Sequence, residues 1–155
     1  MKVSTIITAR GGSKSIPKKN IIEINGIPLL AFPINASLNS KIISNTYVDT
    51  DCDQIANIAK DYGAKIIKRP EYLAGDTVDH GEVIRYSCNE FLKEEKVDIF
   101  VILLGNTVMI DHDLIDKSIN TLTSDVNATG VCSVWKAGDD HPMRAMEIKN
   151  GYLFS

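Results

Sequence analysis

The architecture of this protein follows from residues 3–20, whose sequence is Val3-Ser4-Thr5-Ile6-Ile7-Thr8-Ala9-Arg10-Gly11-Gly12-Ser13-Lys14-Ser15-Ile16-Pro17-Lys18-Lys19-Asn20. The apolar run 3–7 is typical of a buried strand in a parallel sheet, so the loop after it leaves that strand at its carboxyl end. Open α/β sheets bind ligands at this end. The glycine pair lets backbone N–H groups converge, and four cationic side chains surround them. The stretch therefore predicts a site for a polyanion.

The charge of this loop contrasts with that of the whole chain. The chain has a formal net charge of −3, yet no carboxylate lies between Arg10 and Asn20. This contrast favours a binding loop over a solvated basic turn. A phosphate-loop NTPase is excluded, because that motif needs glycine directly before its lysine and Ser13 stands there.

The rest of the chain alternates between strand and helix patterns, which predicts an α/β fold with a doubly wound, mostly parallel sheet. The run 99–104 is the most continuously apolar and is expected to be the central strand. Asp51 is predicted to cap the helix over 52–62. Pro33 must lie in the first turn of the helix over 29–38 or kink that helix. The further predicted elements are strands at 42–48, 65–68 and 129–135, helices at 29–38, 52–62, 78–94 and 113–122, and a hairpin of 145–148 with 152–154 around Asn150-Gly151.

Composition indicates one globular domain over residues 1–155. Hydrophobic residues make up 44% and charged residues 24% of the chain, and no apolar run approaches the length of a membrane span. The three cysteines are odd in number and widely spaced, which predicts a reduced, cytoplasmic protein. We expect neither a nucleic acid nor a membrane as a partner.

The residues of the loop after the first strand resemble a known family signature. Arg10, Ser13, Lys14, Lys19 and Asn20, followed by Asn25-Gly26-Ile27-Pro28-Leu29, resemble the signature of the CMP-acylneuraminate (sialic acid type) cytidylyltransferases. The similarity continues in order through Val48-Asp49-Thr50-Asp51, Tyr62-Gly63-Ala64, Arg69-Pro70-Glu71-Tyr72-Leu73-Ala74, Asp76-Thr77, His141-Pro142 and Asn150-Gly151. It implies a Rossmann-like nucleotidyltransferase sheet and an enzyme that transfers CMP from CTP to a nine-carbon, nonulosonic sugar acid.

The same resemblance implies roles for particular residues. Arg10 and Lys19 would be catalytic, at the α-phosphate, and Arg144 would bind the carboxylate of the sugar acid. The other implied nucleotide contacts are Gly11, Gly12, Ser13 and Lys14 around the β- and γ-phosphates, Asn20, which would either fix the loop or meet the nucleotide, Arg69 at the base, and His80 and Gly105 near the nucleotide. Mg²⁺ is the implied cofactor, and a homodimer is a possible assembly.

The chain departs from the family after Leu104. Sialic-type enzymes carry Gln-Pro-Thr-Ser-Pro there, and only Thr107 matches. The related enzymes for the eight-carbon acid Kdo carry a metal-binding Asp where this chain has Asn106, and an amide is a weaker magnesium ligand. The family's late Asp-x-Asp pair would follow Ser155, so we expect the family's C-terminal portion to be missing. No metal ligand is assigned, and CTP binding without efficient catalysis is predicted for this chain alone.

Alternative interpretations remain at Asp49-Thr50-Asp51. A calcium loop is excluded, since Gln54 and Lys60 stand where it needs Gly and Glu. An Asp-x-Asp glycosyltransferase stays open, as do a Kdo-type cytidylyltransferase and a noncatalytic nucleotide-binding homologue. His80, His112 and His141 are too scattered to predict a zinc site. The identity of the sugar acid is not determined by the sequence.

Overall fold

The computed structural model describes residues 1–13, 16–134 and 146–154. Its regular elements alternate between strand and helix in the predicted manner, and two short 3-10 turns occupy Lys19–Ile21 and Glu71–Leu73. In chain order the elements are β1 (Val3–Thr8), β2 (Glu23–Ile24), β3 (Ile27–Pro28), α1 (Ala31–Leu38), β4 (Ile43–Thr50), α2 (Asp53–Asp61), β5 (Lys65–Lys68), α3 (His80–Glu94), β6 (Ile99–Leu104), α4 (His112–Ser124), β7 (Glu147–Lys149) and β8 (Tyr152–Phe154).

The main sheet has four parallel strands in the order β5-β4-β1-β6. The chain first builds outward from β1 to β4 and β5, and then crosses back to place β6 on the other side of β1. This reversal is the topological switch point of a doubly wound sheet, and ligands of such sheets bind outside the carboxyl ends of the two strands that flank it. The predicted fold class is confirmed.

One face of the sheet is covered by α1, α2 and α4. Because side chains alternate along a strand, Val3 and Ile7 point to this face together with Val48 and Leu103. They pack against apolar residues from all three helices, and the resulting cluster excludes water. The helical members of the cluster include Ile34, Ile55, Ala59, Ile115 and Ile119.

The opposite face carries α3. Phe91 of this helix is buried between Tyr47 of β4 and Phe100 of β6. The Phe91 ring meets these two rings edge-on, with centroid distances of 4.8 Å and 5.4 Å, an arrangement that adds to the burial free energy. Helices on both faces leave the carboxyl edge of the sheet as the place where loops and polar side chains gather.

Several predicted details need correction. The strand β6 is at the edge of the sheet in the described part of the chain, whereas β1 and β4 are interior. Its apolar run is only partly buried, so a continuously apolar sequence did not identify the central strand of this sheet. No strand forms over 129–134, where the described residues are exposed. Trp135, the last residue of the strand predicted over 129–135, lies outside the described residues.

Two turns behave as their sequences indicate. The strands β7 and β8 form the predicted hairpin, with Asn150 and Gly151 both at positive φ. A second hairpin, β2 with β3, turns at Asn25-Gly26 with φ values of 51° and 78°. Asn25-Gly26 is part of the family motif quoted above, and the same dipeptide is a hairpin signal that was not predicted as one.

Pro33 lies in the first turn of α1 and does not interrupt it. Among the helices of the described residues, none is long and apolar enough to cross a membrane. The assignment of residues 1–155 to one domain stays a prediction.

Candidate nucleotide-binding cleft

A polar cleft of about 190 Å³ opens at the switch point, between the carboxyl ends of β1 and β6. It brings together residues that are distant in sequence, and most of the predicted site residues are among them. Its lining consists of Thr8, Arg10, Gly12, Ser13, Lys19, Asn20, Arg69, His80, Leu104 and Asn106. Lys14 and Arg144 lie outside the described residues.

A larger, open depression of about 620 Å³ lies over α4. Its walls carry side chains of both signs, including Lys41, Asp113 and Lys117, and none of the predicted site residues. This depression lies away from the carboxyl edge of the sheet, where ligands of such sheets bind. The cleft at the switch point is therefore the better candidate for a ligand-binding site.

The loop after β1, residues 9–20, is held by one side chain of its own and by one from the end of β4. The side-chain amide of Asn20 donates to the carbonyl oxygen of Arg10 at 2.9 Å. On the other side, the Gly11 N–H donates to Oδ1 of Asp51 at 2.9 Å. The first bond joins the two ends of the loop, and the second fastens the loop to the sheet edge.

The bond from Gly11 corrects the predicted role of Asp51. The helix α2 begins at Asp53, and its cap residue, Cys52, makes no side-chain capping bond. Asp51 directs its carboxylate to the loop because β4 and β1 are parallel neighbours whose carboxyl ends lie side by side. The signal that could have found this contact is the sheet order, which the sequence alone does not provide.

Two glycines are required by close packing. A Cβ atom on Gly11 would lie 2.8 Å from Cβ of Cys52, and one on Gly105 would lie 2.8 Å from Cβ of Ala9. Both distances are too short for any side chain. Neither glycine is part of the cleft lining, so their structural role is to let loop and sheet edge approach each other.

The loop cations point in different directions. Arg10 forms an ion pair with Asp76 at 2.8 Å and donates to the carbonyl oxygen of Gly75 at 3.3 Å, while still lining the cleft. Lys19 also lines the cleft. Lys18 has a left-handed backbone, with φ 52°, and its ammonium donates to Oε1 of Gln54 at 3.2 Å. Lys19, and not Lys18, is therefore available to a ligand in the cleft.

Arg69 is held by a buried ion pair with Asp49. Its Nη2 and Nε donate to Oδ2 of Asp49 at 2.8 Å and 3.1 Å, and Nη2 also reaches the Asp49 carbonyl oxygen at 3.3 Å. Burial raises the pKa of Asp49, and the hydrogen bond and charge of Arg69 oppose that rise. One edge of the guanidinium is thus occupied, while the side chain still forms part of the cleft wall.

These contacts overturn the Asp-x-Asp glycosyltransferase interpretation. Asp49 is used by Arg69, and Asp51 by the Gly11 N–H. Two carboxylates that each hold an internal partner are not a ready metal-binding pair.

His80 connects α3 to β1. Its Nε2 is hydrogen-bonded to Oγ1 of Thr8 at 3.0 Å, and both residues line the cleft. Thr8 and Leu104 were not predicted as lining residues, because a threonine and a leucine at a strand end belong to no motif of their own. His112 is at the surface beside Asp113, away from the cleft.

A parallel sheet with a switch point and a cationic loop beside it is typical of α/β proteins that bind phosphate-containing ligands. The family comparison makes this class more specific: the family model described as "Cytidylyltransferase" matches residues 4–147. The chain belongs to this cytidylyltransferase family, and the resemblance stated from the sequence is confirmed.

Curated relatives include sialic-type enzymes and their bacterial counterparts. The chain is 35% identical over 155 residues to a Helicobacter pylori protein named pseudaminic acid cytidylyltransferase and UDP-2,4-diacetamido-2,4,6-trideoxy-beta-L-altropyranose hydrolase, covering 97% of this chain and 29% of that protein. It is 30% identical over 150 residues to N-acylneuraminate cytidylyltransferase A of Danio rerio, covering 96% and 33%. The chain thus spans about a third of the length of these relatives.

Solved structures agree on the fold. A CMP:2-keto-3-deoxy-manno-octonic acid synthetase complexed with CTP matches with a TM-score of 0.69 at 21% identity, covering 82% of this chain and 49% of that one. A cytidylyltransferase of Leptospira borgpetersenii matches with a TM-score of 0.66 at 25% identity, covering 82% and 51%.

Proposed function

We propose that the chain binds CTP and takes part in transferring CMP to a nonulosonic sugar acid of the sialic type, with release of pyrophosphate. The observation that carries the proposal is the cationic cleft at the switch point, which is lined by Arg10, Lys19 and Arg69. Support comes from relatives named for cytidylyl transfer to acylneuraminic and pseudaminic acids. A cytoplasmic location and a homodimer remain predictions.

The proposed reaction is a substitution at phosphorus. The anomeric hydroxyl oxygen of the sugar acid forms a bond to the α-phosphorus of CTP, the bond from that phosphorus to the bridging oxygen breaks, and pyrophosphate leaves with the electron pair. The hydroxyl proton passes to water. Such a reaction depends on positioning and on neutralising negative charge more than on covalent catalysis.

The loop side chains suit this charge neutralisation. In the proposal Arg10 and Lys19 contact the α-phosphate, while Gly12 and Ser13, which line the cleft, offer backbone N–H groups to the β- and γ-phosphates. Gly11 is removed from this set, because its N–H already donates to Asp51. The predicted role of Lys14 lies outside the described residues.

The far wall of the cleft suits the nucleoside. Arg69 is held rigidly by Asp49, and His80 is held by Thr8, so both present fixed polar edges. We assign the cytosine end of CTP to this wall. Arg144, the predicted contact for the sugar carboxylate, lies outside the described residues and stays a prediction.

Magnesium is implied by the resemblance, but the described residues do not fit a site in which the protein holds the ion. Asp49, Asp51 and Asp76 contact residues of the cleft wall or of its loop, and each has a basic or N–H partner there. Within 1–13, 16–134 and 146–154, no group of three or more His, Cys, Asp or Glu side chains could hold a metal ion. The roles proposed above therefore rest on the side chains and N–H groups of the chain.

A second candidate is a nucleotide-binding homologue without catalysis. It is favoured by Asn106, which lines the cleft where Kdo-type enzymes carry a carboxylate. The two candidates share CTP binding and differ in turnover.

Calorimetry with CTP and ATP tests the shared part. We expect CTP to bind at least about tenfold more tightly, because a pocket built to pair with a base leaves its own polar groups unpaired around the wrong one. Equal affinities would indicate generic phosphate binding and would contradict the assignment of a cytosine wall.

Pyrophosphate release with CTP, Mg²⁺ and a panel of nonulosonic acids then separates the two candidates. Turnover with one of the acids supports the transferase. No turnover by this chain alone is expected of both candidates, so the assay is repeated on a form of the protein that continues past Ser155. Tight CTP binding with no turnover on any acid by that longer form supports the binding homologue.

A further inference from the structure

A single peptide group in the loop is held at both of its edges. The carbonyl of Arg10 and the N–H of Gly11 belong to the same planar unit. The carbonyl accepts from the amide of Asn20, and the N–H donates to the carboxylate of Asp51, each at 2.9 Å. We propose that Asp51 is a positioning residue for the phosphate-binding loop: by fixing this peptide plane it directs the Arg10 side chain and the N–H of Gly12 toward the nucleotide.

The geometry resists rotation of the peptide group. A turn about the backbone bonds on either side would break one of the two hydrogen bonds or both, and each unmade bond to a partly buried group costs free energy. The carbonyl of Arg10 and the N–H of Gly11 lie between the two groups that the proposed function uses, the Arg10 guanidinium and the Gly12 N–H. Holding the peptide between them orders both before the ligand arrives, so less entropy is lost on binding.

A second contact fastens the same loop to the start of α2. Lys18, near the far end of the loop, donates to Gln54 at 3.2 Å. The close approach of Gly11 to Cys52, which would leave a Cβ only 2.8 Å of room, brings the loop within reach of Asp51. The residues 51–54 therefore act as one support beneath the loop.

Charge provides an independent argument. A carboxylate beside a triphosphate site weakens binding through repulsion, so an acidic residue here needs another reason. Helix capping is not that reason, because α2 begins two residues later and receives no capping bond from Asp51. The bond to Gly11 is the contact that explains its place.

Three variants separate geometry from charge. Asp51→Ala removes the acceptor, and Asp51→Asn keeps an acceptor oxygen at the same reach but removes the charge. The matched control is Asp53→Ala, which removes the same charge at the same helix end, from the exposed first residue of α2. The readouts are the dissociation constant of CTP by calorimetry and, without nucleotide, hydrogen exchange at the Gly11 amide by NMR.

We expect Asp51→Ala to bind CTP about tenfold more weakly and to exchange the Gly11 proton faster, since the loop must then be ordered by the ligand. Asp51→Asn is expected to remain within about threefold of the wild-type affinity, and Asp53→Ala within about twofold. A CTP affinity of Asp51→Ala equal to that of Asp53→Ala would overturn the proposal. Equal losses in Asp51→Ala and Asp51→Asn would also overturn it, because the charge and not the acceptor would then matter.

If Asp51→Ala does not fold, Asp51→Glu replaces it. This variant keeps the charge and moves the acceptor by one methylene, so it should bind CTP more weakly than Asp51→Asn, and the reverse order would overturn the proposal.

The role of Asp51 rests on the proposed function, and exchange at Gly11 keeps the two apart. If the wild-type chain binds no CTP, the proposed function fails. Faster exchange of the Gly11 proton in Asp51→Ala, with recovery in Asp51→Asn, would still support the fixed peptide group. Unchanged exchange in Asp51→Ala would overturn the role of Asp51.

Discussion

Two arginine–aspartate pairs border the same cleft and differ in their exposure to water. In the pair of Arg69 with Asp49 the side chains are 4% and 0% exposed, and in the pair of Arg10 with Asp76 they are 35% and 36% exposed. The shortest nitrogen–oxygen distance is 2.8 Å in both. Contact distance therefore does not tell the two pairs apart, whereas burial does.

The difference has a functional consequence. A buried pair cannot release one member without leaving an unpaired charge in a poorly solvated place, so Arg69 is a fixed wall of the cleft. A pair that water reaches contributes little net free energy, so Arg10 can leave Asp76 for a phosphate at low cost. On the loop side of the cleft, Arg10 can exchange Asp76 for a ligand phosphate. On the opposite side, Arg69 keeps a fixed position in the cleft wall.

The largest expected effect comes from breaking the buried pair. Arg69→Met should lower the free energy of unfolding by about 3–5 kcal/mol, because Asp49 then stays buried without its cationic partner. Urea denaturation measures the change. The double variant Asp49→Leu with Arg69→Met should recover most of the loss, and a double variant as unstable as the single one would contradict the explanation.

Neighbouring lysines of the loop give the next largest effect. Lys19→Ala should weaken CTP binding by about 10- to 100-fold, as expected for the loss of a charged hydrogen-bond donor to phosphate. Lys18→Ala is the comparison variant: its ammonium contacts Gln54 and not the cleft, so this variant loses only a contact that fastens the loop to α2 and should weaken CTP binding less than Lys19→Ala does. Calorimetry measures both, with circular dichroism to check the fold. Equal effects of the two variants would mean that the loop acts only as a diffuse positive charge.

The pH dependence of the Arg69→Met variant sharpens the account of the buried pair. Burial already raises the pKa of Asp49 above 3.8, and removing Arg69 raises it further. The folded variant then keeps a proton that the unfolded chain releases, so its stability falls as pH rises from 3.8 through the raised pKa. The deficit against wild type should be smaller at about pH 5 than at about pH 7.5, by at most about 1.4 kcal/mol per pH unit for one proton. Urea denaturation at both values tests this, and a deficit that does not change with pH would contradict it.

The smallest expected effect concerns the exposed pair. Asp76→Asn should change the free energy of unfolding by no more than about 1 kcal/mol and strengthen CTP binding by up to about fivefold, because Arg10 loses a competitor for phosphate. Calorimetry and urea denaturation measure the two quantities. A tenfold loss of CTP affinity would show instead that Asp76 holds Arg10 in place for the ligand.

Much of the site was predictable from local sequence. The loop cations, the glycine pair and Asn20 stand next to each other in the chain, and the strand before them identifies the edge at which they lie. Arg69 and His80 were assigned through the family resemblance, and the cleft includes both. Their partners were not predicted, since Asp49 and Thr8 are ordinary strand-end residues until the strands are placed side by side.

Some features of this protein follow from local sequence patterns, and others depend on which strands are neighbours in the sheet. The order of strands and helices, the Asn-Gly hairpin and the cationic loop depend on residues within a few positions of each other, so periodicity and turn chemistry suffice to predict them. The interior place of β1, the contact of Asp51 with Gly11 and the burial of Asp49 against Arg69 depend on which strand ends are neighbours in the sheet. Tertiary structure decides these because a side chain bonds to whatever the sheet order brings within about 3 Å, and that neighbour is twenty or forty residues away in the chain.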